Sequence, residues 1–392
     1  MRRGDLKRMP VAGGRWPVAG SLGVARPYQS RDLSLDRQGA VSRLCTLAAI
    51  LLLSGCGRYA DFTLPRAPGG DTSLTFTLEA QANPVIAPGD GWDSGDVLNP
   101  SVVRVPSGLI NLYSGFDGHT WHTGLASSED GRDWIRKGKV LSPDVRTWEA
   151  SYIAGNGSAV AFEDRFWYWY VAGPKERPRL GLARSGLMQG SGWTNNSGDF
   201  QTWSKEPRPV LEPGPYQSWD EYGVADPYAI RIGNYFYMYF LGQDRARRQR
   251  LGVARSGDGV QWEKLRSNPI LELGGDGAFD EAGLGEPAVW NSHGFYWMLY
   301  TGRDIHENRR MGLAQSTDGV RWTKLPAVFA GSQAWDAKVI CDPTVLVEGG
   351  AIRVWFGGGD VASPDENLHG RIGYGVLRPV SLSSPRNATL AK

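Results

Sequence analysis

The chain has 392 residues, of which 41% are hydrophobic and 11% aromatic, with 43 Lys and Arg set against 41 Asp and Glu. That is enough apolar material for a substantial core in one large or two ordinary domains, and the near-balanced charge excludes an electrostatic footprint for nucleic acid.

In chain order, residues 1–40 are rich in Arg, Gly and Pro and are expected to lie outside the folded protein, with Val41 a candidate alternative start. Arg43 then precedes an apolar run that is too short to cross a bilayer, so residues 41–55 read as a signal peptide and not as a transmembrane helix. Its ending, Leu53-Ser54-Gly55-Cys56, resembles a bacterial lipobox. The resemblance implies cleavage before Cys56, acylation of that cysteine and a lipid anchor in the bacterial cell envelope, at the periplasmic or outer surface. Loss of residues 1–55 leaves 34 basic and 38 acidic residues, a net charge of −4, so the precursor's basic balance is misleading. Only Cys56 and Cys341 then remain, and acylation of the first excludes a disulfide. Residues 56–72 read as a linker, 73–380 as the folded domain and 381–392 as a tail.

The folded part repeats. An aromatic and an acid recur before a polar residue followed by Pro or Gly, in "WDSGDVLNPSVV", "WEASYIAGNGSAV", "WDEYGVADPYAI", "FDEAGLGEPAVW" and "WDAKVICDPTVL". The residues before that Pro or Gly are Asn99, Asn156, Asp226, Glu286 and Asp342, and they serve as anchors of five similar units. Each anchor leads into a β-branched run, a tight polar turn and an aromatic strand such as "RIGNYFYMYFLG", which is a hairpin. Segments such as "LGVARSGDGVQW" then place an Asp-Gly turn between a third strand and a fourth. Four antiparallel strands per unit, repeated radially, predict an all-β, five-bladed β-propeller. The fifth unit lacks its own fourth strand, and "LTFTLEAQANPVI" is expected to supply it from the N-terminal side and close the ring.

Strand parity assigns the chemistry to one face. If the innermost strands start at the anchors, the loops between second and third strands return to the same mouth, carrying Trp121, Asp244, Arg303 and Asp304. Innermost strands converge on the axis, which brings Asn99, Asp226, Glu286 and Asp342 together. A pair of carboxylates across a shallow cleft is what glycosidic bond cleavage uses, one as proton donor and the other as base or nucleophile. Glu286 has the longest side chain among the anchors and reads as the acid, with Asp226 raising its pKa and orienting substrate.

The five units, with "ADPYAI" and "GEPAVW" about sixty residues apart, resemble the five-bladed glycoside hydrolases of families 43, 32, 68 and 117 and the related phosphorylase family 130, over roughly residues 73–380. The resemblance implies an oligo- or polysaccharide partner, no required cofactor, Asp226 as tuner and Glu286 as general acid. It also implies an Asp as base or nucleophile in the first unit, where this chain has Asn99, an amide that can neither attack nor accept a proton usefully. Three readings stay open. Asp96, or Asp93, reaches in as the base; or phosphate attacks instead, as the "NP" step resembling family 130 implies, with Asp226 as acid; or the cleft binds sugar without cutting it.

Other residues carry milder expectations. Asp93, Glu149, Asp220, Asp280 and Asp336 recur in all five units and read as structural ties, and Trp134, Trp262 and Trp322 as packing between units. Trp92 and Trp121 are candidates for stacking on a sugar ring, and Asn99, Asp244, Arg303, Asp304 and Asp342 for binding its hydroxyls. His369 resembles the histidine that family 43 places near a central ion, which would be a structural Ca or Na ion near the axis.

Overall fold

A computed structural model describes residues 59–187 and 202–381, all within the unit Cys56–Lys392. The signal peptide, Cys56, the insertion in the second unit and the C-terminal tail lie outside the described residues. The described chain is almost wholly β, and none of its helices is long and apolar enough to cross a membrane.

Strand pairing builds five four-stranded antiparallel units. The first contains β3 (Val97–Val105), β4 (Gly108–Phe116), β5 (Trp121–Ser128) and β6 (Ile135–Leu141). The second contains β7 (Ala154–Phe162), β8 (Arg165–Ala172), β9 (Arg179–Ser185) and β10 (Trp203–Lys205). The third contains β11 (Gly223–Ile232), β12 (Tyr235–Gln243), β13 (Gln249–Ser256) and β14 (Glu263–Leu265). The fourth contains β15 (Gly283–Ser292), β16 (Phe295–Arg303), β17 (Arg309–Ser316) and β18 (Thr323–Phe329). The fifth joins β19 (Val339–Glu348), β20 (Ala351–Gly359) and β21 (Arg371–Ser381) to β2 (Leu74–Ala80), which pairs from Leu74 opposite Ser381 to Ala80 opposite Gly375. The N-terminal strand therefore closes the ring.

The aromatic second strands are buried almost throughout because units pack on both of their faces. On the face away from the anchors, Ser-Asp-Gly turns lock the units together. In the turn at Gly259, whose φ of +71° suits a residue without Cβ, Ser256 accepts the glycine amide and the carbonyl accepts indole N–H bonds from Trp262 and from Trp169 of the unit before. Gly131 does the same for Trp134 and Trp355, and Gly319 for Trp322 and Tyr239.

On the anchor face the units are joined by single backbone bonds: Trp121 N–H to Tyr152, Val224 to Pro178, Arg309 to Lys338 and Val97 to Gly370. The innermost strands β3, β7, β11, β15 and β19 touch in that order around the axis. The recurring acids tie each unit internally, Asp93 to Arg136 and Tyr113, Glu149 to Lys205 and Tyr170, Asp220 to Lys264, and Asp280 to Lys324 and Tyr300. Asp336 instead caps its own loop through the Gln333 amide.

One expectation fails here. Residues 59–72 are seated on the domain, not linking to it: β1 (Tyr59–Ala60) pairs in parallel with β14, Leu64 and Ala67 donate to Asp318 and Thr317, and Leu64 is buried against Gly319. The edge of the third unit and the turns of the fourth offer unpaired backbone groups that this segment satisfies.

Candidate active site

All five anchors share one backbone conformation. Asn99, Asn156, Asp226, Glu286 and Asp342 have φ between 48° and 50°, and the ladder to the second strand slips at each of them. A bulge at a left-handed residue costs about 1 kcal/mol or more for a side chain such as Glu, and it survives only where its surroundings hold it. Its effect is uniform: all five side chains line one cleft of 380 Å³.

Within the cleft the groups are connected. Asn99 donates its side-chain amide to Asp342 Oδ1 at 2.6 Å and its backbone N–H to Oδ2 at 3.3 Å. Asp342 in turn donates its backbone N–H to Glu286 Oε2 at 3.1 Å. Asp226 accepts from the Glu286 backbone amide and the Asn156 side chain, and a Cβ on Gly285 would stand 3.1 Å from Asp226 Oδ2, so the glycine leaves room for that carboxylate. Burial, with the Glu286 charge next, lifts the Asp226 carboxyl to about 7. Burial and then Glu286 push Asp342 well above the usual carboxylate range. Burial also raises the Cys341 thiol, which donates to Asp342 at 3.1 Å and is no nucleophile in that state.

Arg309, the first residue of β17, is the cation of this centre. Burial works to lower its pKa, but Glu286 first, and then Cys341 and Asp342 beside it, more than reverse that. Its guanidinium donates to the carbonyls of Ser363 (3.1 Å) and Pro364. Sequence reasoning missed it, although a signal existed: the first residues of the third strands are Trp121, Arg179, Gln249, Arg309 and Arg371, and Trp121, Gln249 and Arg309 all line the cleft.

The structure relocates several predicted site residues. Asp96, expected as the base, is 1% exposed and absent from the cleft wall; its carboxylate accepts the backbone amides of Asn367 (2.6 Å), Leu368 (3.4 Å) and Gly370 (2.7 Å). It anchors a loop of the fifth unit and has no free edge for a water or a sugar. Trp92 does not line the cleft either, because Gly115 and Gly124 leave a slot that its ring fills beside Tyr113. Asp244 and Asp304 cap their own loops, accepting the amides of Ala246 and Arg248 and of His306 and Asn308. Trp121, Arg303, Asn99 and Asp342 do line the cleft. Trp121 stacks on Phe116 at 4.9 Å, and Arg303 bonds Gln249 and Glu307 while its Nε stays buried without a partner.

His369 is exposed and bonded to Asp360, away from the central groups. Among the described residues, Glu286, Cys341 and Asp342 offer ligand atoms within 4.8 Å of one another. A thiol, two carboxylates and the neighbouring Arg309 charge are a poor match to Ca or Na, which take several oxygens.

Residues 193–347 match the glycosyl hydrolases family 32 N-terminal domain. An uncharacterized protein of Mycobacterium tuberculosis strain CDC 1551 / Oshkosh, MT1551, is 30% identical over 161 residues, 38% of this chain and 52% of the relative; Rv1502 of strain H37Rv matches equally. The chain thus spans about half the length of the curated relatives it matches. Among solved structures, the complex of BT0996 with RGII superposes with a TM-score of 0.61 at 18% identity, covering 81% of this chain and 95% of that one. Zg3597, a family 117 glycoside hydrolase from Zobellia galactanivorans, gives 0.58 at 14% identity over 80% and 93%. A β-1,2-mannobiose phosphorylase from Listeria innocua gives 0.58 at 10% identity over 79% and 97%. The chain therefore shares its fold with these glycoside hydrolase and phosphorylase structures, and its residues 193–347 are similar to the family 32 N-terminal domain.

Proposed function

We propose that the cleft cleaves a glycosidic bond of an oligo- or polysaccharide with Asp226 and Glu286 as its carboxylate pair. The observation that carries this reading is geometric: Asp226 and Glu286 line one cleft, Asp226 accepts the Glu286 backbone amide, and burial followed by the neighbouring Glu286 lifts the Asp226 carboxyl to about 7. Asp226 then gives its proton to the leaving oxygen as the bond to the anomeric carbon breaks, which reverses the roles expected from side-chain length. Glu286 accepts the proton of the water that attacks that carbon. Asn99 and Asp342 orient the sugar, and Arg309 offsets the charge of Glu286 before it takes that proton.

A second reading has its own support. The first unit supplies no carboxylate, while Lys175, Arg247, Arg303 and Arg309 all line the cleft, so phosphate can stand in for the activated water. Incubation with arabinosides, xylosides, fructans, galactosides and mannosides, with and without phosphate, separates the two. Hydrolysis lost in Asp226→Asn and Glu286→Gln supports the first reading, and strict phosphate dependence the second. Binding without turnover would mean a sugar-binding propeller. Turnover that survives both substitutions sinks the carboxylate assignment.

We also propose, on the lipobox-like Leu53-Ser54-Gly55-Cys56, that an acylated Cys56 anchors the protein in the bacterial cell envelope. Cys56→Ser is expected to move it from the membrane fraction to the soluble one and to abolish fatty-acid labelling; unchanged fractionation would remove the anchor.

A further inference from the structure

The loop between the second and third strands is short in the first four units, spanning 117–120, 173–178, 244–248 and 304–308, but runs over 360–370 in the fifth. Its base is built into the protein. Leu368 is fully buried, Asp96 accepts three of its amides, and Gly370 packs so closely on Leu98 and Asp96 that a Cβ there would collide with them. Its tip reaches a unit that is not its neighbour in the ring. The Tyr152 hydroxyl donates to Glu366 at 2.8 Å, and Lys175 bonds Glu366 at 3.0 Å and Asp365 at 3.1 Å while lying 4.8 Å over the Tyr152 ring. Tyr152 and Lys175 belong to the second unit, so the tip ties the fifth unit to one that does not adjoin it in the ring. On its other flank it holds Arg309 of the fourth unit through the Ser363 and Pro364 carbonyls. An internal turn, Ser363 Oγ to the Glu366 carbonyl at 2.7 Å, keeps the tip compact.

Pro364 and Asp365 line the same cleft as Arg247, Gln249 and Arg303, and in that cleft Asn99 and Asp342 are almost wholly buried. A glycan threaded through the cleft would meet this loop, because its tip forms part of the cleft wall and is bonded to units on both flanks. Resting on the carbohydrate reading of the site, we propose that residues 360–370 form a strap that closes one end of the cleft between the fifth and second units, so that it admits the end of a glycan chain and not its interior. Each rim ion pair taken singly is weak. The backbone anchors at the base and the shared Tyr152, Lys175 and Glu366 contact make the closure a property of the folded chain. On this account Asp96 is a positioning residue for the strap.

The test follows the full-length protein on linear arabinan, xylan, levan, galactan and mannan, reading product length by mass spectrometry at early conversion together with polymer viscosity. Asp226→Asn is used in parallel to count copies bound per polymer by sedimentation. The expected result is mono- or disaccharide as first product, no early fall in viscosity, and binding only at chain ends. In the double variant Tyr152→Phe, Glu366→Ala, internal fragments should rise about tenfold relative to terminal product, with faster amide exchange over 361–367. Fragments of mixed length from the unaltered protein, or many copies bound along one polymer, overturn the strap while leaving carbohydrate action intact. An unchanged product pattern in a variant whose strap exchanges faster also overturns it. Neither cleavage nor binding on any polymer overturns the carbohydrate reading itself, and the strap with it.

Discussion

The first and fourth units start from the same backbone and end in different chemistry. Asn99 and Glu286 both sit at φ 50° on a slipped ladder before a proline, and both line the cleft. Yet the fourth unit presents a carboxylate whose charge raises two neighbours, while the first presents an amide that donates to Asp342 and gives its nearby Asp96 to the strap. The bulge is therefore scaffold, and chemistry resides in what departs from the repeat. A recurring feature, such as the acids tied to Arg136 or Lys205, holds each unit together.

The contrast breaks most sharply at Asp226. Asp226→Asn removes the proposed proton donor and is expected to lower kcat/KM by about 10²–10⁴-fold. It should also raise Tm at pH 8 by about 2 °C, because a half-buried charge is no longer forced to form there. A variant that lost activity and stability together would make Asp226 a structural residue instead.

Converting the first unit toward the fourth comes next. Asn99→Asp replaces a donor 2.6 Å from Asp342 Oδ1 by a second acceptor, so one of the two must hold a proton or repel the other. A loss of roughly 1–3 kcal/mol at neutral pH is expected by chemical denaturation, smaller at pH 4. Equal stability at both pH values would show that the Asn99 amide is not needed by Asp342. Asp96→Asn keeps one oxygen but loses the charge that holds the strap's amides, and should cost about 1–2 kcal/mol. Its turnover of short substrates should stay within about tenfold, since only a base would cost the larger factor. A collapse of turnover in a folded Asp96→Asn protein would restore Asp96 as the base.

Strands, turns and ring closure could be read in the sequence because alternation and Asp-Gly steps are local signals that repetition multiplies. The meeting of Asp226, Glu286 and Asp342 was legible for the same reason, since equal anchors on equal strands converge on one axis. Asp96 was not. Parity places its loop at the mouth, but its oxygens meet amides 271 and more positions away, and no local pattern encodes that meeting. Arg309 escaped because one of the two arginines in "ENRRMG" carries no mark of burial, until the first residues of all third strands are compared. The seated 59–72 segment escaped because a two-residue parallel pairing has no sequence signature.

The smallest expected effect is also the most specific to this arrangement. With the Asp226 carboxyl at about 7, activity that needs its protonated form should fall as pH rises above that value, by about a factor of ten per unit in kcat/KM. Glu286, Arg309 and Asp342 face it, and of these Glu286 raises it while Arg309 lowers it; the Asn156 hydrogen bond also lowers it. Asn156→Ala should therefore move the descending limb to higher pH, whereas a structural role alone would lower the rate without moving the limb. Stability follows the same group. Because folding raises its pKa, Asp226 contributes stability that is complete below its unfolded value of about 4 and is lost as pH climbs through about 7. In Asp226→Asn that decline should flatten between those limits. If the pH dependence of stability were identical in the two proteins, the charge raised in the folded state would not be on Asp226, and the proton donor would have to be sought at Asp342 or Glu286.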